Sequence, residues 1–160
     1  MTINRRTLLK HTALVSAALA TSRALPVVSA QSKFQPMKIG DIAQLKDEFS
    51  TVPFRFDDQS ALVTRLPKPE KPGDRVLEVK HKNTSLYLAA YNLVCTHAGC
   101  NVAKPTAEFS TAKELSCPCH GSRFAPDGAV LGGPAREALR PIKLKLEGDV
   151  LYAVDYATSK

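Results

Sequence analysis

All four cysteines of this 160-residue chain lie in two six-residue stretches, "CTHAGC" at 95–100 and "CPCHGS" at 117–122, which also hold two of its four histidines. Cys95-x-His97 and Cys117-x-x-His120 are two ligand pairs, each spaced tightly enough to chelate. Cys100 and Cys119 are left over, one in each stretch. In an exported protein such a remaining pair is more often oxidised than kept as thiols, and the bond would pin the two stretches together. Two thiolates and two imidazoles suit a tetrahedral structural zinc. Zinc gives no role to the extra cysteines, to the glycine in each stretch, or to the hydroxyl of Ser122. An iron-sulfur cluster uses them better: amides and a hydroxyl can donate to cluster sulfurs, and glycine lets the backbone come close.

Whether the cysteines meet an oxidising compartment depends on the N-terminus. The opening "MTINRRTLLKHTALVSAALATSRALPVVSAQ" has a basic start, a short apolar run over 12–21, and a small-residue cleavage pattern, "VSA", before Gln31. Arg5-Arg6 resembles the twin-arginine signal, a bacterial address for proteins exported already folded. The expected division is therefore a signal at 1–30 and a single domain at 31–160. A membrane span needs about 20 apolar residues, and Arg23 and Pro26 interrupt this run, so membrane association requires that the segment be retained. The formal charge of +7 falls to +3 without Arg5, Arg6, Lys10 and Arg23, since residues 1–30 hold no acid. With no basic run and no aromatic interleaving, residues 31–160 give no argument for nucleic acid. The expected location is the bacterial periplasm.

The elements that must position the ligands read as strands. "LYLAAYNLVC" is a long apolar run, expected to be a buried strand feeding directly into Cys95. In "PIKLKLEGDVLYAVDY", Ile142, Leu144 and Leu146 alternate with Lys143, Lys145 and Glu147 before a Gly148-Asp149 turn, which predicts a hairpin with one buried face. Tyr152 and Tyr156 read as packing residues of its second strand. "RLPKPEKPGD" at 65–74 has three prolines and a glycine and is expected to be an exposed loop joining two layers. "GDIAQLKDEF" at 40–49 has room for a helical turn or two. His81, between Lys80 and Lys82, reads as a solvated surface residue. The class is mainly antiparallel β.

The two stretches resemble the cluster-binding boxes of the Rieske iron-sulfur family, and "GGPA" at 132–135 resembles its third, proline-containing loop. The resemblance covers about 93–134 and implies a β-sandwich with a small cluster-binding subdomain made of two loops. It implies a Rieske-type 2Fe-2S cluster with Cys95 and Cys117 on the buried iron and His97 and His120 on the outer one. Cys100 and Cys119 match the disulfide of the respiratory-type members, a pair that the dioxygenase ferredoxins and oxygenase domains generally lack. Gly121, Ser122, Gly133 and Pro134 fall at positions that tune or cover the cluster.

The implied activity is one-electron transfer with no substrate chemistry of its own. Neutral imidazoles leave such a centre less negative, which places its potential at roughly −150 to +300 mV against about −400 mV for all-cysteine plant-type ferredoxins. That range suits a quinol donor and a c-type cytochrome acceptor, as in quinol:cytochrome c oxidoreductases. The alternative is the small electron-transfer subunit of a periplasmic enzyme, such as a molybdenum-containing arsenite oxidase, with the large subunit as donor. Two departures stand out. Phe124 replaces a tyrosine whose hydroxyl meets a ligand sulfur in high-potential members, which implies a lower potential here. Ala98 replaces a leucine of the docking tip, which implies less apolar contact with a partner.

Overall fold

Short segments pair mostly with their neighbours in sequence, and β1 with the last strand, into ten strands among the residues that a computed structural model describes, 33–70, 73–105 and 109–158. The chain divides into Met1–Ala30 and Gln31–Lys160. The export-signal reading of residues 1–30 lies outside the described residues. Three antiparallel sheets form: β1 (Met37–Asp41), β10 (Val150–Tyr156) and β9 (Ile142–Glu147) make the first. The second has the order β2 (Thr51–Phe56), β3 (Gln59–Leu66), β5 (Thr84–Asn92), β4 (Leu77–His81). The third is small, with β6 (Leu115–Ser116), β7 (Arg123–Phe124) and β8 (Val130–Gly132).

The four-stranded sheet is buried on both faces at its centre, which explains why "LYLAAYNLVC" reads as continuous rather than alternating. From β5, Leu86, Leu88 and Ala90 enter one core with Ile142, Leu151, Ala153 and Tyr156 of the first sheet. Ala89, Tyr91 and Leu93 point the other way, into a second core with Leu115, Phe124, Leu139, Cys95 and Cys117. β3 divides in the same manner, Ala61 and Val63 against Leu62. One sheet is thus the shared wall between a base and the subdomain that carries both cysteine stretches.

The predicted hairpin is present, with Val150 paired to Glu147 across Gly148-Asp149 and Gly148 at φ +59°. Tyr156 is buried and packs edge-on to Phe34 and Phe56 at ring separations of 5.5 and 5.1 Å. The 40–49 segment gives the end of strand β1 and one 3-10 turn at Ile42–Gln44, capped by the Asp41 carboxylate, which accepts from the Ala43 amide at 2.7 Å. α1, Phe109–Ala112, is a single helical turn between the two cysteine stretches.

Two readings need correction. The proline-rich loop does not join two layers: it connects β3 to β4, which lie in the same sheet on either side of β5. Prolines mark the loop but carry no information about which partner its flanking strands choose. His81 is not a freely solvated residue. Its Nε2 lies 2.6 Å from an Asp149 carboxylate oxygen, so the turn of the β4–β5 hairpin is tied to that of β9–β10. The hydrogen bond to His81 lowers the Asp149 carboxyl pKa.

Candidate metal centre

Each cysteine stretch folds into the same backbone pattern. In the first, the Cys95 amide donates to the Cys100 carbonyl at 2.7 Å and the Gly99 amide donates to the Cys95 carbonyl at 2.8 Å. In the second, the Cys117 amide donates to the Ser122 carbonyl at 2.8 Å and the Gly121 amide to the Cys117 carbonyl at 3.0 Å. A glycine stands four residues after each leading cysteine because the turn requires positive φ there, +74° at Gly99 and +73° at Gly121. The loops present their histidines outward and their leading cysteines inward.

Cys95 and Cys117 are 2% and 1% exposed, and both are free thiols. His97 and His120 are exposed, with ring centroids 4.8 Å apart in an edge-to-face arrangement. Cys100 and Cys119 form the disulfide that joins the two loops. The sulfurs of Cys100, Cys117 and Cys119 lie within 4.8 Å of one another. That trio is not a ligand set, because two of its members have spent their thiolates on each other. The donors that remain are two buried thiols and two surface imidazoles, a soft inner pair and a neutral outer pair. This donor chemistry fits a Rieske-type cluster, in which His₂ replaces Cys₂ on one iron.

The polar groups around the thiols distinguish them. At Cys95, burial works against the thiolate but is outweighed by hydrogen bonds from the His97 backbone, the Cys117 side chain, the Ser122 hydroxyl and the Ala98 backbone, so its pKa is lowered. At Cys117, burial and donation toward Cys95 prevail over the amides of Cys119 and His120, and its pKa is raised. Cys95 is the first to ionise, with Cys117 donating to it. Ser122 is fully buried and accepts from the Ala135 amide at 3.1 Å. Its own proton is therefore left to serve the Cys95 sulfur.

The 132–139 segment closes against both loops. A Cβ on Gly133 would come within 2.6 Å of the Gly121 carbonyl oxygen and of the Ser122 Cα, and its φ is +86°. Gly133→Ala should therefore cost about 1–3 kcal/mol in backbone strain alone, read as a lowered midpoint of thermal unfolding. An unchanged midpoint would contradict this packing. Pro134 follows as a half-buried residue, and Ala98 is exposed at the tip of the first loop. Phe124 is fully buried on β7, paired with Leu115 and Val130.

Sequence reasoning missed Thr96, between the two donors of the first loop, whose hydroxyl donates to the Glu137 carbonyl at 2.6 Å. It also missed Tyr91, whose buried hydroxyl donates to the Pro126 carbonyl at 2.8 Å and lies 3.2 Å from Thr64 Oγ1. The only local signal was position: Thr96 inside the box, Tyr91 at an inward register of β5.

Comparison with known proteins places this arrangement. The family model described as "Rieske [2Fe-2S] domain" matches residues 35–143. The cytochrome b6-f complex iron-sulfur subunit of Chlorobaculum tepidum is 36% identical over 74 residues, covering 46% of this chain and 37% of that protein. The subunit of the same description from Synechococcus sp. (strain JA-2-3B'a(2-13)) is 35% identical over 96 residues, covering 54% of each. The matched region thus spans only about a third to a half of these relatives. Among solved structures, the plasma membrane Rieske protein PetC3 of Synechocystis PCC 6803 superposes with a TM-score of 0.52 at 24% identity, covering 73% of this chain and 97% of that one. At that identity the likeness speaks for the fold. With the family model spanning most of the described residues and a donor set that suits its cofactor, this chain belongs to the Rieske [2Fe-2S] domain family and carries a Rieske-type 2Fe-2S cluster.

Proposed function

We propose that Cys95 and Cys117 hold one iron of the cluster and His97 and His120 the other. On this reading the protein is the electron-carrying subunit of a quinol:cytochrome c oxidoreductase-like complex, exported to the periplasmic face of the bacterial inner membrane. The observation that carries the assignment is the pair of buried thiols outside any disulfide beneath two exposed edge-to-face imidazoles. When bound, the cluster supplies a one-electron couple raised in potential by its neutral ligands.

The protein supplies the rest. Cys95 and Cys117 keep the thiolate end away from water, and Ser122 donates toward the Cys95 sulfur. The exposed rings of His97 and His120 give a docked partner the closest approach. The Cys100–Cys119 disulfide supports a place among the respiratory-type members. Relatives that are subunits of cytochrome b6-f complexes support a subunit role beside a cytochrome.

Fractionating the producing bacterium tests the complex. The expected result is a protein that copurifies with membrane-bound cytochrome and is reduced by a short-chain quinol in those membranes. A soluble periplasmic protein beginning near Gln31, reduced by a soluble enzyme and indifferent to quinol, would contradict it. That outcome favours the small-subunit alternative of the arsenite oxidase type.

Phe124→Tyr should raise the midpoint potential, because the added hydroxyl enters the core that contains Cys95 and Cys117. A hydrogen bond about 1 kcal/mol stronger to the reduced centre corresponds to a rise of about 40 mV. Protein-film voltammetry with an unchanged midpoint would sink this account of Phe124.

A further inference from the structure

The covering segment is fastened at both ends, and the two fastenings differ in kind. Its near end rests on the second cysteine loop through Gly133 and the Ala135–Ser122 hydrogen bond. Its far end, at fully buried Leu139, is held by a residue from outside the subdomain. The Leu139 amide donates to the Gly128 carbonyl at 2.9 Å, and its carbonyl accepts from Arg75 Nη2 at 2.6 Å. The same guanidinium donates through Nε to the Asp127 carbonyl at 3.0 Å. Arg75 lies in the turn before β4, so a single side chain of the base spans the tip of the β7–β8 hairpin and the end of the covering segment.

No slack remains around this fork. A Cβ on Gly128, which has φ +81°, would come within 2.7 Å of Arg75 Nη2 and 3.1 Å of the Tyr91 ring. Tyr91 in turn donates to the Pro126 carbonyl, so consecutive carbonyls, 126 and 127, are both taken by side chains of the base. A planar guanidinium holds two divergent carbonyls in a fixed fork, whereas a lysine ammonium on a flexible stem has rotatable donors and sets no such geometry. Solvent is close by, because Arg75, Thr96, Glu137 and Arg140 line an open cleft of about 810 Å³. A freed end of the segment would open toward water.

We infer that Arg75 is a positioning residue for the cluster: its two-carbonyl fork holds the covering segment shut, which keeps the Ser122 hydroxyl bonded to the Ala135 amide and aimed at the Cys95 sulfur. The inference rests on the ligand set proposed above. It concerns a residue 20 positions before the first ligand and outside every motif of the family resemblance.

The test compares wild-type, Arg75→Lys and Arg75→Met proteins, each purified with its cluster, well below their unfolding temperatures. Three quantities are read: the resonance line shape of the dithionite-reduced form, the midpoint potential, and the rate at which a chelator bleaches the visible absorbance. Both variants should bleach roughly tenfold faster, the low end of what outer partners contribute to metal retention. Both should also shift line shape and midpoint. Lysine keeps the charge and loses the fork, so agreement between the two variants assigns the effect to geometry. Variants that melt earlier yet keep the wild-type line shape, midpoint and bleaching rate would overturn the inference, leaving Arg75 a structural tie only. If Arg75→Met fails to fold, Arg75→Lys decides by the same readings. A wild-type protein without a cluster signal would instead overturn the ligand assignment, which separates the two failures.

Discussion

Cys117→Ser should yield a folded, colourless protein with no resonance signal after dithionite. Cys117 is 1% exposed and sits where the second loop turns, with its amide and carbonyl both engaged in that loop's own hydrogen bonds. Serine keeps the size and those backbone bonds, so the fold should survive. What it lacks is a soft thiolate, the ligand that iron-sulfur chemistry selects. On the proposed ligand set, Cys95 would then be the one thiolate left to that iron. Absorbance spectra and iron analysis measure the outcome. Lys145→Met serves as the control, since Lys145 is exposed on β9 and its ammonium pairs with Glu147 at 2.7 Å, away from the cysteine loops. A Cys117→Ser protein with full iron content would contradict the ligand set.

The disulfide carries the second large effect. The backbone hydrogen bonds of each cysteine turn close within that turn, and only Cys117 and Ser122 donate across, to the Cys95 sulfur, so the bond between Cys100 and Cys119 is what ties one loop covalently to the other. Closing a loop of 19 residues restricts the unfolded chain enough to contribute about 3 kcal/mol in the chain-entropy view. The Cys100→Ser, Cys119→Ser double variant should lose about that much stability in chemical denaturation. It should also release its iron to a chelator faster, because the inner thiols and outer imidazoles then belong to loops free to separate. Both cysteines are changed together so that no unpaired thiol competes for iron. Wild-type stability and iron retention in the double variant would show that packing alone holds the loops in place.

The cysteine loops were the most legible part of the chain because everything they need is local. Leading cysteine, histidine two or three residues on, and glycine four residues on fall within one turn. The C-terminal hairpin was legible for a similar reason, with period-2 alternation on either side of the Gly148-Asp149 turn as far as Ala153, before a bulge shifts the register at Asp155. The long apolar run of β5 was readable as a buried strand, but its two destinations were not. Alternate residues of that run go to different cores, and a uniformly apolar pattern does not record which neighbour covers which face.

Other features were hidden because they join distant positions through groups with no sequence signature. Arg75 reaches carbonyls 52 and 64 residues away, and a backbone carbonyl looks the same at every residue. The third sheet pairs strands of two or three residues, too short for any periodicity to show. His81 gave the impression of a solvated side chain because its flanking lysines are exposed, while its partner Asp149 lies 68 residues on. Phe124 was noticed as a missing hydroxyl. The structure adds that the residue is fully buried in the core shared with the Cys95 and Cys117 thiols, which makes the substitution a direct probe of that core.

On the proposed assignment, two cysteines and two histidines of these loops hold one 2Fe-2S cluster. Pulsed electron paramagnetic resonance on the dithionite-reduced protein tests it most directly. The expected signal is that of one unpaired electron coupled to two histidine nitrogens, with one coupling lost in His97→Ala or His120→Ala wherever cluster remains. A resonance-silent protein that contains zinc, or a signal without nitrogen coupling, would contradict it.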